Sequence, residues 1–439
     1  MLKAIKLKKL FGRFNYNIEL KGEGITIITG PNGYGKSTVL TILDEFCNKS
    51  LGDVLQHTFD SISFIADNDT VTIAKLKDHF KINDLKFKYP RNPDRTHRLG
   101  FPPYLRRLDE NVFIDIRTNE HIIVEDPRML RDIYPFDMDD DYLSAIVFEE
   151  RVNLRVKSER KTEIERASQI IKTLKQNIGQ VRFIKEQRLI EKRILSSEER
   201  RSYSSSKIEY VTVINENAGK LKKEIEQAMG MHSALANQLD SSYITRLFET
   251  KKKMDQSGFE ENLKDLQQKQ EKLKHYGLAE IKNTSKLRYM PEFAIDLFVY
   301  FSDAIEKYKV FESLIAKLDL YERIVNSKLA FKKMVLSRED GISVVTDENH
   351  RLDLTSLSSG EQEILVLYYK LIFESDVNLL LIDEPEISLH VAWQKEILDD
   401  FKQIVALNKS VQVVISTHSP QIISGNWDIQ IDLGEQYHG

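Results

Sequence analysis

Gly30-Pro31-Asn32-Gly33-Tyr34-Gly35-Lys36-Ser37-Thr38 is a complete phosphate-binding loop, and it dictates the local fold around it. An apolar run, Ile25-Thr26-Ile27-Ile28-Thr29, precedes it, and Ser37-Thr38-Val39-Leu40-Thr41-Ile42-Leu43 follows. Strand, tight loop and helix therefore stand in the order a phosphate cradle needs. Backbone N–H groups from Gly30 to Thr38, with Gly33, Gly35 and Asn32 at the turns, would surround a polyphosphate. Lys36 would reach the β- and γ-phosphates and Ser37 would ligate Mg²⁺. A second group of motifs stands far downstream, at Leu357-Ser358-Ser359-Gly360-Glu361-Gln362 and Leu379-Leu380-Leu381-Ile382-Asp383-Glu384-Pro385. The continuous apolar run 379–382 predicts a parallel strand buried on both faces. Asp383 at its end is placed to hold Mg²⁺ through water, and Glu384 to polarise the water that attacks the γ-phosphate as general base.

The long interval between the two groups defines the organisation. At 439 residues the chain is long enough for two or three domains. Segments 61–65 and 70–73 alternate with a period of two, as in a small antiparallel sheet. Residues 90–135 are rich in proline and predict loops and short elements. From Pro135 to Pro291 no proline occurs, which permits long helices. Phe311, Leu314, Leu318, Tyr321 and Val325 step as a heptad seam, extended upstream by Leu297, Tyr300 and Ala304. Leu263, Leu266 and Leu273, with Leu221 and Ile225, add a shorter pattern. The expectation is an α/β head split in sequence: an N-terminal lobe over 1–209, a helical coiled-coil insertion over 210–335, and a C-terminal lobe over 336–439. Thirty helical residues span only about 45 Å, a short arm and not a long tether. Ile342–Thr346 and Arg351–Leu354 read as a hairpin around Asp347–His350.

Composition excludes several classes. No stretch reaches the apolar length of a membrane span, and Met1–Leu10 alternates instead of building a signal-peptide core, so the expected location is the cytoplasm. The single cysteine, Cys47, excludes an internal disulfide and an all-cysteine metal site. A formal net charge of −4 gives no general pull toward nucleic acid, but residues 151–210 carry 16 Lys/Arg against 8 Asp/Glu. Either a solvated helix face or a surface for nucleic acid or an acidic partner accounts for that stretch. Few aromatics are interleaved there to stack on bases. Asp399 and Asp400 do not read as catalysts.

Ser358-Ser359-Gly360-Glu361-Gln362 resembles the signature motif of ABC-type ATPases, with Ser359 where a glycine usually stands. Val413-Val414-Ile415-Ser416-Thr417-His418-Ser419-Pro420 resembles their switch-histidine strand. The resemblance implies ATP sandwiched between two heads in a homodimer, with Ser358 and Gly360 touching the γ-phosphate in trans and His418 in cis. It also makes Gln187, after Val181–Ile184, the metal-sensing glutamine, and puts His390 where an aspartate is common. A finer resemblance is to stand-alone ATPases of the overcoming-lysogenization-defect group, such as the ATPase subunits of the PARIS and Septu antiphage systems. It rests on Leu10–Tyr16, Glu384-Pro385-Glu386-Ile387-Ser388-Leu389-His390 with Trp393-Gln394, and Thr417-His418-Ser419-Pro420-Gln421. That likeness implies a higher homo-oligomer, a separately encoded nuclease or toxin effector of Toprim or HNH type, and a phage protein as trigger. Only 21 residues follow His418, too few for a nuclease domain of its own. A DNA-repair ATPase that clamps DNA on binding ATP, of the SMC or recombination-mediator type, is the alternative. A transporter motor is disfavoured, because such heads keep the lysine and aspartate motifs much closer than the 347 positions between Lys36 and Asp383.

Overall fold

The computed structural model describes residues 1–21, 24–67, 69–88, 105–109, 112–115, 120–123, 158–185, 189–194, 208–279, 287–374, 377–387, 389–408, 411–423 and 425–438. Two compact units share the chain. The first takes Met1–Glu186, Ser375–Ile387 and Asn408–Gly439, and the second takes Gln187–Glu374 and Ser388–Leu407. Among the described residues no helix is long and apolar enough to cross a membrane.

The first unit is α/β. Strands β1 (Leu2–Leu10), β2 (Phe14–Glu19), β4 (Ser61–Ala66), β5 (Thr70–Lys75), β6 (His79–Ile82) and β7 (Leu85–Lys88) form an antiparallel sheet in the order β2-β1-β4-β5-β6-β7. Their alternation places Ile5, Leu7, Ile62, Phe64, Val71 and Ile73 on one buried face, as the period-two segments predict. A second sheet is parallel, in the order β11-β17-β18-β3-β19, from β3 (Gly24–Thr29), β11 (Val181–Ile184), β17 (Leu379–Asp383), β18 (Gln412–Ser416) and β19 (Gln430–Asp432). Every residue of β17 and β18 is buried, the pattern of strands covered on both faces. Helices α1 (Lys36–Asn48) and α3 (Ser158–Ile178), with the short α2 (Leu51–Val54), complete one core. Val39, Leu43 and Phe46 of α1 and Ile171 and Leu174 of α3 meet Phe64 of β4 and Leu379 and Leu381 of β17 within it. The Phe46 and Phe64 rings stack at 3.9 Å between centroids. Burying side chains of this size is worth about 1.5–3 kcal/mol each. Cys47 is half-buried against the same core. Strands β8 (Leu105–Asp109), β9 (Val112–Asp115) and β10 (Glu120–Ile123) form a separate antiparallel sheet in the proline-rich region. Two short helices, α9 (Pro420–Ile423) and α10 (Leu433–His438), close the unit.

The second unit is mainly helical. It holds β12 (Ile190–Ile194), β13 (Ile208–Thr212), α4 (Val213–Glu249), α5 (Gln256–His275), α6 (Ala294–Asn326), a sheet of β14 (Lys332–Ser337), β15 (Gly341–Thr346) and β16 (Arg351–Leu352), α7 (Ser359–Phe373) and α8 (Val391–Leu407). The expected hairpin is β15–β16, and a third strand, β14, pairs antiparallel with β15 on its other edge. Gly341 is required where it stands: its φ is +67° and a Cβ would lie 2.1 Å from Ala218 O of α4. The seam residues Phe311, Leu314, Leu318, Tyr321 and Val325 of α6 are buried, as is Leu297 upstream, whereas Tyr300 and Ala304 of that extension are half-buried. Ile315, Leu320 and Ile324 are buried as well, so the apolar band is wider than a two-stranded seam. The reason is that α6 meets α4, α5, α7, α8 and β14, and a helix surrounded in this way needs more than one apolar face. Phe259 and Leu266 of α5 pack on Leu297 and Phe301 in a cluster of their own.

Candidate functional site

Three parallel neighbours deliver the chemistry to one place. The C-terminal ends of β3, β17 and β18 lead into the phosphate loop, Asp383-Glu384 and Thr417-His418 respectively. Ligands of open α/β sheets bind beyond such strand ends.

The loop itself is shaped by glycine. Gly30, Gly33 and Gly35 all have positive φ, and at Gly35 a Cβ would come within 2.9 Å of Leu10 Cδ2 and 3.0 Å of Phe11 Cε2. Gly35 is the N-cap of α1, and among the described residues no side chain caps that helix end. Orphan N–H groups together with the positive end of the helix dipole make an anion site. Lys36 is buried, and its ammonium donates to Gly30 O at 3.0 Å and Pro31 O at 3.4 Å. It also lies 2.7 Å from His418 Nε2. Burial chiefly lowers the Lys36 pKa, against the pull of Glu384, Asp383 and Glu386. His418 is lowered by its own burial and then by the Lys36 charge.

Ser37 Oγ donates to Asp383 Oδ1 at 2.9 Å, and Ser416 Oγ donates to the same oxygen. A hydroxyl and a carboxylate held together are hard oxygen donors of the kind that suits Mg²⁺, with water completing the shell. Glu384 adopts φ of +44°, an unusual backbone for a residue with a Cβ, and its N–H donates to Ser416 O at 3.0 Å. Its Oε1 is 3.0 Å from His418 Nε2. Lys36, Ser37, Asp383, Glu384 and His418 are thereby brought together within the first unit. Asn32, Gly33 and Thr38 lie on the same loop and helix start. Ser358 and Gly360 belong to the second unit, where Ser358 caps α7 in a capping box with Glu361, and Lys332 holds that carboxylate at 2.8 and 2.9 Å. His390 is there too, accepting from Ala392 N at 3.3 Å near the start of α8. Gln187 lies outside the described residues.

Two features escaped the sequence reading. Glu386 is buried, and its Oε1 accepts from Thr417 Oγ1, His418 N at 2.9 Å and Ser419 N at 3.0 Å. Asp432, at the end of β19, accepts from Thr29 Oγ1 at 3.2 Å and Gly434 N at 2.6 Å, securing α10 beside the start of the loop. A second glutamate directly after Glu384-Pro385 was the only signal for the first, and Asp432 had none.

A family model described as the AAA ATPase domain, AAA_15, matches residues 1–423. The chain belongs to the AAA ATPase domain family. Members bind nucleotide, typically with Mg²⁺, and the loop, Lys36, Ser37 and Asp383 of this AAA ATPase suit both. A comparison with curated proteins returns no match. Among solved structures, the AAA ATPase is similar to an Smc head domain with an extended coiled coil bound to the C-terminal domain of ScpA, from Pyrococcus furiosus. The identity is 14%, over 96% of this chain and 91% of that one, with a TM-score of 0.34. An Smc head bound to the C-winged helix domain of ScpA is 11% identical over 97% and 91%, at 0.33. The SMC head domain from Thermotoga maritima is 12% identical over 96% and 90%, at 0.32.

Burial first, then the charge and hydrogen bonding of Glu386, push Glu384 of the AAA ATPase up to about 8, with Lys36 pulling the other way and Asp383 adding a smaller push. A carboxyl whose pKa is raised on folding stabilises the fold fully below its unfolded value and loses that contribution as pH rises through the folded value. Nucleotide-free protein should therefore lose stability between about pH 4.5 and 8 on account of this group. Glu384→Gln, which cannot ionise, should melt a few degrees above the parent at pH 8.5 and much closer to it at pH 6. Parallel melting curves that keep a constant gap across this range would rule out the ionisation.

Proposed function

We propose that the chain is an ABC-type ATPase subunit that binds and hydrolyses ATP at the site described above, as sensor and scaffold of a bacterial antiphage system. The observation that carries the ATPase part is the meeting of Lys36, Ser37, Asp383, Glu384 and His418 at the ends of adjacent parallel strands. ATP would lie along the loop, with Lys36 turning from the Gly30 and Pro31 carbonyls and His418 to the β- and γ-phosphates. Ser37 and Asp383 would hold Mg²⁺, which would neutralise charge on the phosphate oxygens. Glu384 would accept a proton from the attacking water, and His418 would steady that carboxylate and the γ-phosphate. Gln187 would sense the metal.

Ser358 and Gly360 of a second copy would complete the site, giving a homodimer with ATP at its interface within a higher homo-oligomer. Ser358→Arg is expected to abolish ATP-driven dimerisation by steric and charge clash, while leaving ATP binding to the single head within about threefold. Light scattering with and without ATP measures the first and calorimetric titration the second. Unchanged dimerisation would remove the trans contact from the reading.

The antiphage role draws on the likeness of Leu10–Tyr16, Glu384–His390 and Thr417–Gln421 to the overcoming-lysogenization-defect group. The chain would act in the cytoplasm, holding a separately encoded Toprim- or HNH-type nuclease or a toxin until a phage protein releases it. Affinity purification of Glu384→Gln from its host with ATP and Mg²⁺, followed by mass spectrometry, tests this. A stoichiometric small nuclease or toxin is the expected result. Recovery of DNA and repair factors alone would favour an ATP-dependent DNA clamp instead.

A further inference from the structure

We infer that Glu386 is a positioning residue for ATP hydrolysis: its buried carboxylate fixes the Thr417–Ser419 turn, and with it the His418 ring, against Glu384 and Lys36. The inference rests on the ATPase reading above. One oxygen of Glu386 takes three donors, Thr417 Oγ1, His418 N at 2.9 Å and Ser419 N at 3.0 Å. The other oxygen is buried and has no hydrogen-bond partner among the described residues. A carboxylate in such a place is costly unless the bonds it accepts are strong, and three donors on one oxygen supply that compensation. The donors all come from a segment 31 to 33 residues away in sequence. Were the turn merely capping the four-residue α9, a local Thr417 or Ser419 hydroxyl would suffice, and Thr417 Oγ1 does already accept from Ser419 N at 2.9 Å. Glu386 adds a tie from the segment that carries Glu384 to the segment that carries His418. The charge of Glu386 also acts on Glu384, Lys36 and His418 alike.

What the site requires from Glu386 is an oxygen acceptor at this place. Glu386→Gln keeps one, whereas Glu386→Ala removes it. The expected result for Glu386→Ala is a fall in kcat of about 30-fold or more, with the Kd for ATP within about threefold of the parent. Glu386→Gln should recover kcat to within about fivefold of the parent. Histidine-selective NMR supplies a readout independent of turnover: the His418 ring signals, assigned through His418→Ala, should move in Glu386→Ala and return in Glu386→Gln. Parent-like turnover in a folded Glu386→Ala overturns the inference. So do equal defects in the two variants, an equal loss of ATP binding and turnover, or a stationary His418 signal. If the parent itself does not hydrolyse ATP, the function proposed above fails, and the NMR comparison still decides whether Glu386 positions the ring.

Discussion

Lys36→Ala is expected to weaken ATP binding by about 100-fold or more and to bring turnover below detection. Each hydrogen bond to a charged group contributes about 1.5–3 kcal/mol, and Lys36 would make such bonds to both the β- and γ-phosphates. A net change of about 2.8 kcal/mol already corresponds to 100-fold in Kd. Lys36 is buried and its ammonium rests on Gly30 O, Pro31 O and His418, within the loop that would cradle the phosphates. Alanine would leave those carbonyls and the imidazole beside the proposed phosphate site with no intervening cation. Titration calorimetry with ATP and Mg²⁺ checks the outcome, and binding within threefold of the parent would mean that the phosphates lie elsewhere.

Glu384→Gln is expected to separate binding from chemistry. The amide matches the carboxylate in shape and can still contact His418, but it cannot take a proton from water. Loss of a general base costs about 10²–10⁴-fold in rate. ATP affinity should stay within a few fold, and ATP-bound dimers should accumulate because the step that releases them is slowed. Single-turnover hydrolysis alongside size-exclusion chromatography tests both parts. Hydrolysis at the parent rate would take the base role from Glu384 and direct attention to the other carboxylates at the strand ends.

How far the fold could be read from the residues depended on how local each signal was. Strand, glycine-rich loop and helix are adjacent in sequence around Lys36, and the apolar run ending at Asp383 is continuous, so both were legible. The meeting of Ser37 with Asp383 followed from motif chemistry and is seen as a hydrogen bond. Glu386 was not legible as a clamp, because its three donors arrive from another strand end and nothing in a Glu-Pro-Glu sequence tells which side chain turns inward. The heptad steps of α6 from Phe311 to Val325 are buried and those at Tyr300 and Ala304 only half so, and the stepping pattern could not reveal that Ile315, Leu320 and Ile324 are buried as well. Strand β14 was missed because Lys332-Lys333-Met334-Val335-Leu336-Ser337 shows no clean alternation. Its place depends on pairing with β15, which is a tertiary cause.

The parallel sheet also sets a timetable for synthesis. Strand β3, which launches the phosphate loop, lies between β18 and β19, and the Gln412 side chain reaches back to the carbonyls of Leu2 and Lys21 at 2.9 Å each. At about 5–20 residues per second, a ribosome needs roughly 20–80 s after making β3 to produce the strands that flank it. The antiparallel sheet, whose strands are close together in sequence, is free to form during that wait, whereas the nucleotide pocket is not. A nascent or truncated chain that lacks β17 and β18 therefore lacks Asp383, Glu384 and His418 beside the phosphate loop.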